Sequence, residues 1–161
     1  MDGNRLNALS LGMLDNLEEL ESLSISRNRL KEIDEHGTFT ARHMTLKKLN
    51  LSDNKLERLG QFTFKYLSGL IELDISHNLL RGGKDSLPAA SLFIEKSSLE
   101  RLNISHNYLT IVNYEMLYQQ DALTHLDLSH NNITLIQIDE TNTNSQVSAS
   151  AWKDVRNLQF L

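Results

Sequence analysis

With 161 residues, 40% of them hydrophobic, the chain has the size and apolar content of one folded domain. Its 21 Asp and Glu against 16 Lys and Arg give a net charge of −5, which excludes general affinity for nucleic acid, because neutralising phosphates takes clustered cations. Cysteine is absent, so a thiol nucleophile is impossible, and no apolar run nears the roughly 18 residues that span a membrane.

At the start, Asn4-Arg-Leu6-x-x-Leu9 has the spacing of a turn followed by a crossover, which places Met1 at a buried strand position with no strand before it. The pattern LxxLxLxxNxL then opens at Leu20 and returns at Leu46, Leu70, Leu99 and Leu123, with starts 26, 24, 29 and 24 residues apart. Such a period, within about 20–29 residues, predicts a solenoid in which each unit supplies one strand and one crossover. A sixth start stands at Leu158. Leu14-x-x-Leu17-x-x-Leu20 and Phe64-x-x-Leu67-x-x-Leu70 have the rhythm of short helical turns on the convex side. Trp152-x-x-Val155-x-x-Leu158 repeats it, which makes Trp152 a core anchor. Residues 81–98 hold Gly82, Gly83 and the single proline, Pro88, beside Leu87, Leu92, Phe93 and Ile94, the mark of an enlarged but packed crossover. Residues 139–150, DETNTNSQVSAS, have almost nothing to bury and are expected to project as a mobile loop, a tolerated insertion set against the alternative of a partner-binding loop.

The whole of 1–161 therefore reads as a single α/β array with a curved parallel sheet on its concave face, five complete motifs and a partial repeat at each end. Polar capping units, which solenoids need, are not visible at either end, so the chain is expected to be an internal piece of a longer array that self-associates through exposed core and strand edges. On that expectation the lack of a signal-peptide pattern and of cysteines says nothing about compartment.

Within a repeat such as Leu99-Glu-Arg-Leu102-Asn-Ile104, apolar Leu102 and Ile104 alternate with Arg101, Asn103 and Ser105, the period-2 signature of a half-buried strand. The concave polar positions form the expected partner-docking surface: Ser22, Ser24 and Arg27; Lys48 and Asp53; Glu72, Asp74 and His77; Arg101 and His106; His125, Asp127 and His130. The recurring serines Ser26, Ser52, Ser76, Ser105 and Ser129 are placed on the same wet face. The asparagine column Asn28, Asn54, Asn78, Asn107 and Asn131 falls where each strand turns away, and an amide there, with one acceptor and two donors, satisfies turn groups left unpaired in the core.

No catalytic constellation is present: GxSxG, GxxxxGK[ST], HExxH and GxGxxG are all missing, and serine beside histidine or an acid recurs with every repeat, whereas a catalytic site is needed once. No enzyme, no cofactor and no metal are expected. His77, His106 and His130 occupy one position in three consecutive repeats, roughly 5 Å apart, with His125 nearby. Such a column has the chemistry to bind a metal or sense protons, set against the plainer reading that SHN is what the repeat copies. Three sequons, Asn50-Leu-Ser52, Asn103-Ile-Ser105 and Asn132-Ile-Thr134, are candidate glycosylation sites compatible with a secretory route.

The phrases LNLSDNKLERLGQFTF, LDISHN, LNISHNYLT and LDLSHNNIT resemble the typical-type repeats of animal extracellular leucine-rich repeat proteins, a group that includes Toll-like receptors, chaoptin-like adhesion proteins and insect secreted immune repeat proteins. The resemblance runs from Asn4 to Leu161. It implies a leucine-rich repeat solenoid and a non-catalytic ectodomain that recognises a protein or microbial ligand, or adheres, often as a homodimer. It also implies an extracellular or cell-surface location, with any membrane attachment in segments outside this chain. The alternative is a cytoplasmic repeat scaffold that docks proteins.

Overall fold

The computed structural model describes residues 1–10, 12–33, 38–60, 63–82, 98–113, 120 and 122–137. The expectations for Trp152, for residues 139–150, for most of 81–98 and for the sixth start at Leu158 lie outside these residues. Five short strands, β1 (Ser22–Ser24), β2 (Lys48–Asn50), β3 (Glu72–Asp74), β4 (Arg101–Asn103) and β6 (His125–Asp127), form one parallel sheet in the order β1-β2-β3-β4-β6. A second pair behind the turn, β5 (Ile111–Asn113) and β7 (Leu135–Gln137), is also parallel.

Each main-sheet strand is three residues long because the repeat allows only one buried residue between two polar ones. The register is in phase throughout: Ser22, Lys48, Glu72, Arg101 and His125 form one row, Leu23, Leu49, Leu73, Leu102 and Leu126 the next, and Ser24, Asn50, Asp74, Asn103 and Asp127 the third. The leucine row is buried, and a further row of Ile25, Leu51, Ile75, Ile104 and Leu128 lies behind it, almost fully closed to solvent. Burying such side chains stabilises by about 1.5–3 kcal/mol each, and in a solenoid that gain exists only where a neighbouring repeat covers the row.

The leucine triplets on the convex side close turns of the i→i+3 kind. Leu17 N–H donates to Leu14 C=O at 2.9 Å and Leu20 N–H to Leu17 C=O at 3.1 Å; Leu67 N–H reaches Phe64 C=O at 2.9 Å and Leu70 N–H reaches Leu67 C=O at 3.0 Å. Three residues per turn is the 3₁₀ period, so an x-x spacing of three puts successive leucines over one another. Continuous helix is confined, among the described residues, to one 3₁₀ turn, Ala41–His43, capped by Thr40. Its His43 is buried and acts as a strut. Nδ1 accepts the Thr40 N–H at 3.0 Å and Nε2 contacts the Leu14 carbonyl at 3.0 Å, so the partners select the neutral tautomer protonated on Nε2. Phe39 meets the His43 ring edge-on and Phe64 at 6.1 Å, tying adjacent crossovers together.

The turn asparagines bind the repeats to one another. Asn107 Nδ2–H donates to Ile104 C=O and Ser105 C=O of its own repeat and to Ile75 C=O of the one before, each at 3.1 Å, while its Oδ1 accepts Leu80 N–H at 3.0 Å. Asn28, Asn54, Asn78 and Asn131 make the equivalent contacts. Asn4 contributes a sixth, exposed rung, donating to Met1 C=O and Asp2 C=O, and Met1 C=O in turn accepts from Asn28. Met1 holds the place that Ile25 holds one repeat on, yet it is 45% exposed rather than buried.

One expectation is corrected. Ser26, Ser52, Ser76 and Ser105 are buried, not on the wet face, because the chain leaves the strand plane two residues earlier than strict alternation assumes. Asn107→Leu is expected to lower stability by about 1–3 kcal/mol in chemical denaturation, since it orphans carbonyls of two repeats at once. Ser76→Ala, which removes a small buried hydroxyl, is expected to cost less than that, and equal losses would remove the special role of the amide.

Candidate interaction face

The polar side of the main sheet encloses an open groove of about 620 Å³. Of the docking positions read from the sequence, Ser22, Ser24, Lys48, Glu72, Asp74, Arg101, His125 and Asp127 line it, together with Asn50 and Asn103. The two polar rows that flank the leucine row put these side chains there, one from each end of every three-residue strand.

The first row is held by an ion triad. Glu72 takes Lys48 Nζ on Oε2 at 3.0 Å and Arg101 Nη1 on Oε1 at 3.1 Å, so one carboxylate on β3 bridges cations on both neighbouring strands. The hydrogen bond from Lys48 holds the Glu72 carboxyl below its ordinary range, against a smaller opposing effect of burial. Further ion pairs between successive repeats, Glu18–Arg42, Glu21–Lys47 and Glu32–Arg58, lie outside the groove and are exposed.

The second row is half side chain and half scaffold. Asn50, Asp74, Asn103 and Asp127 each accept, on Oδ1, the N–H of the serine two residues on, at 2.9, 2.9, 3.0 and 2.9 Å. An Asx acceptor at this position starts the turn that carries the chain off the sheet. At Ser24, which has no such acceptor, the Asp2 carboxylate substitutes, receiving Ser24 Oγ–H at 2.7 Å and Ser26 N–H at 2.9 Å. The Ser24 hydroxyl is the main reason that the Asp2 carboxyl sits below its usual value.

Arg27, Asp53, His77, His106 and His130 stand apart from the groove, on its rim. All five have positive φ, between 51° and 54°, as does Gly3 at 66° one repeat earlier. This left-handed residue reverses the chain between the strand and the asparagine rung, a requirement that sequence spacing alone did not reveal. Its signal was the residue types: Asp and His tolerate that region better than most side chains. The geometry aligns the three histidines face to face, with ring centroids 4.0 Å apart between His77 and His106 and 4.1 Å between His106 and His130, and planes within 16°. Burial first, then the two flanking rings, holds His106 below the ordinary imidazole value, while Asp127 and Asp53 pull the other way. His125 lies in the groove, outside the stack, and contacts Thr124 Oγ1 at 2.9 Å. Among the described residues no group of three or more His, Asp or Glu is arranged to hold a metal ion.

The sequons separate by environment. Asn50 and Asn103 are half-buried in the groove, with their carbonyl oxygens engaged and their serines Ser52 and Ser105 buried. Asn132 is exposed.

The leucine-rich repeat family model matches residues 44–85 and 89–133, over half of the chain. The chain belongs to the leucine-rich repeat family. Among other members it is 40% identical over 85 residues to Tsukushi-A of Xenopus laevis, covering 53% of this chain and 22% of that protein. It is 36% identical over 101 residues to the transforming growth factor beta activator LRRC33 of Danio rerio, covering 62% and 14%. A match of the same order, 36% over 97 residues, joins it to adenylate cyclase of Schizosaccharomyces pombe, covering 60% and 5%. The chain thus spans less than a quarter of each of these relatives. The crystal structure of the leucine-rich repeat domain of APL1B superposes with a TM-score of 0.59 over 86% of this chain and 39% of that one, at 24% identity, a likeness of fold. A leucine-rich repeat solenoid is a fold typically used for protein interaction rather than catalysis.

In this repeat the left-handed rim position is open to a direct test. Asp53→Val is expected to lose about 1–3 kcal/mol in urea denaturation, because a β-branched residue is strained at φ 52°, whereas Asp53→Gly should stay within about 1 kcal/mol of the parent.

Proposed function

We propose that the polar sheet face docks a protein partner, and that the chain is part of the ectodomain of an extracellular or cell-surface leucine-rich repeat protein, a receptor or adhesion protein whose ligand is a protein or microbial molecule. The observation that carries the docking reading is the unbroken groove across five in-register strands, with its side chains preset by the Glu72 triad and the Asx turns. A surface already fixed in position loses little conformational freedom on binding, so more of its contact energy appears as affinity.

The extracellular reading is supported by the likeness to Tsukushi-A and to LRRC33, a protein named as a transforming growth factor beta activator. It is also supported by the sequon at Asn132, which leaves the groove clear if it carries a glycan. A second reading, a cytoplasmic scaffold with the same docking face, is favoured by the equally good match to an adenylate cyclase, which shows that these repeats also occur within an enzyme. A glycosidase-sensitive electrophoretic shift of the protein taken from its own cells, made from its native gene, is the expected result of the first reading, and its absence with the protein in the cytosol that of the second.

Charge reversal separates the groove from the rest of the surface. Glu72→Lys and Asp127→Lys are each expected to weaken partner affinity by about tenfold or more, and Arg42→Glu, on the 3₁₀ turn, by less than about twofold, measured by surface plasmon resonance. Loss confined to Arg42→Glu would place the interface on the other side of the solenoid.

A further inference from the structure

The second row and the rim hold, from β2 to β6, eight positions: Asn50, Asp74, Asn103 and Asp127, and Asp53, His77, His106 and His130. While the imidazoles are neutral, that strip carries three carboxylates and no cation. Among the described residues none of the three carboxylates forms an ion pair, and Lys48 and Arg101 are both engaged by Glu72 in the first row. Arg27 lies one strand further out, on β1's repeat. The strip is therefore a negative surface lying beside its own titratable counter-charges.

We propose that this strip holds a basic protein surface at neutral pH and releases it in mild acid, with the stacked histidines His77, His106 and His130 as the release device. This regulation rests on the docking reading above. Each ring that gains a proton cancels one carboxylate of the strip, so the field that attracts a basic partner falls from within.

The geometry couples the three rings to one another. Rings 4.0 and 4.1 Å apart stack while neutral, but two imidazolium rings at that spacing repel each other. His106 faces His77 on the β3 side and His130 on the β6 side, with Asp53 and Asp127 as the carboxylates that act on it; Asp74, Asn103 and His125 complete the adjoining polar rows, and the neighbouring Tyr108 is exposed. Because its proton affinity in the fold is lowered, the stacked arrangement is fully stable above the ordinary imidazole value and loses that stability as pH falls through the lowered one. Acid thus strains the stack as it reduces the negative charge of the strip.

An octalysine peptide serves as the probe, measured by calorimetry in low salt at about pH 7.5 and about pH 5.5, where the carboxylates stay ionised. The parent chain is expected to bind it at the higher pH and to weaken by about tenfold or more at the lower. The triple variant His77→Asn, His106→Asn, His130→Asn keeps residues suited to positive φ and is expected to bind equally well at the higher pH, with a change below about threefold on acidification. A triple variant as acid-sensitive as the parent would overturn the proposal. Asp74→Asn with Asp127→Asn is expected to abolish binding at the higher pH; if it binds as the parent does, the strip is not the binding surface and the proposal fails whatever the histidines do, while the docking reading still stands or falls by the charge reversals above. Independently of any variant's folding, the His106 ring resonance of the parent should titrate below the ordinary imidazole value, and an ordinary value there would remove the coupled stack.

Discussion

The asparagine amide at the turn is the interaction on which the solenoid depends. A short strand followed by a sharp reversal leaves carbonyls and N–H groups pointing into a core with no water to receive them, and each costs about 1–3 kcal/mol if left bare. One amide reaches three carbonyls and one N–H, and one of those carbonyls always belongs to the preceding repeat, as Ile75 does for Asn107. The same bonds that satisfy a turn therefore set the distance and register between neighbours. The strand ladder, the leucine rows and the groove inherit their regularity from it.

Function is displayed on what that scaffold leaves free. Three-residue strands give two outward side chains per repeat, and the second of these is partly committed, since Asn50, Asp74, Asn103 and Asp127 also start the turn. Asn and Asp do this equally well as acceptors, so the position can alternate between neutral and negative without altering the backbone. The electrostatics of the face are thus adjustable almost independently of the fold, and the Glu72 bridge shows how one carboxylate can tie the cations of two strands at once.

Much of the architecture was legible because the repeat states it five times. The starts at Leu20, Leu46, Leu70, Leu99 and Leu123 each precede a strand of the parallel sheet, and the leucine pattern gives the buried row directly. Alternation was a poorer guide one residue later: it put Ser26, Ser52, Ser76 and Ser105 in water, although the chain has already begun to turn and they are buried. Nor did it show that Arg27, Asp53, His77, His106 and His130, which look like strand positions, take a left-handed backbone just past each strand. Periodicity reports which residues are equivalent; it does not report where the path bends. Nor did it show the stacking of the histidines, which needs ring orientation as well as strand spacing.

The in-phase register has a consequence for how such a surface can change over time. Every strand pairs residue for residue with the next, Ser22 to Lys48 to Glu72 to Arg101 to His125, with no stagger accumulating along the row. Duplication or loss of one whole unit therefore lengthens or shortens the face by a single step of about 4.8 Å without re-aiming any other side chain. The array behaves as a ruler with interchangeable divisions, whose reach and whose markings can be altered separately.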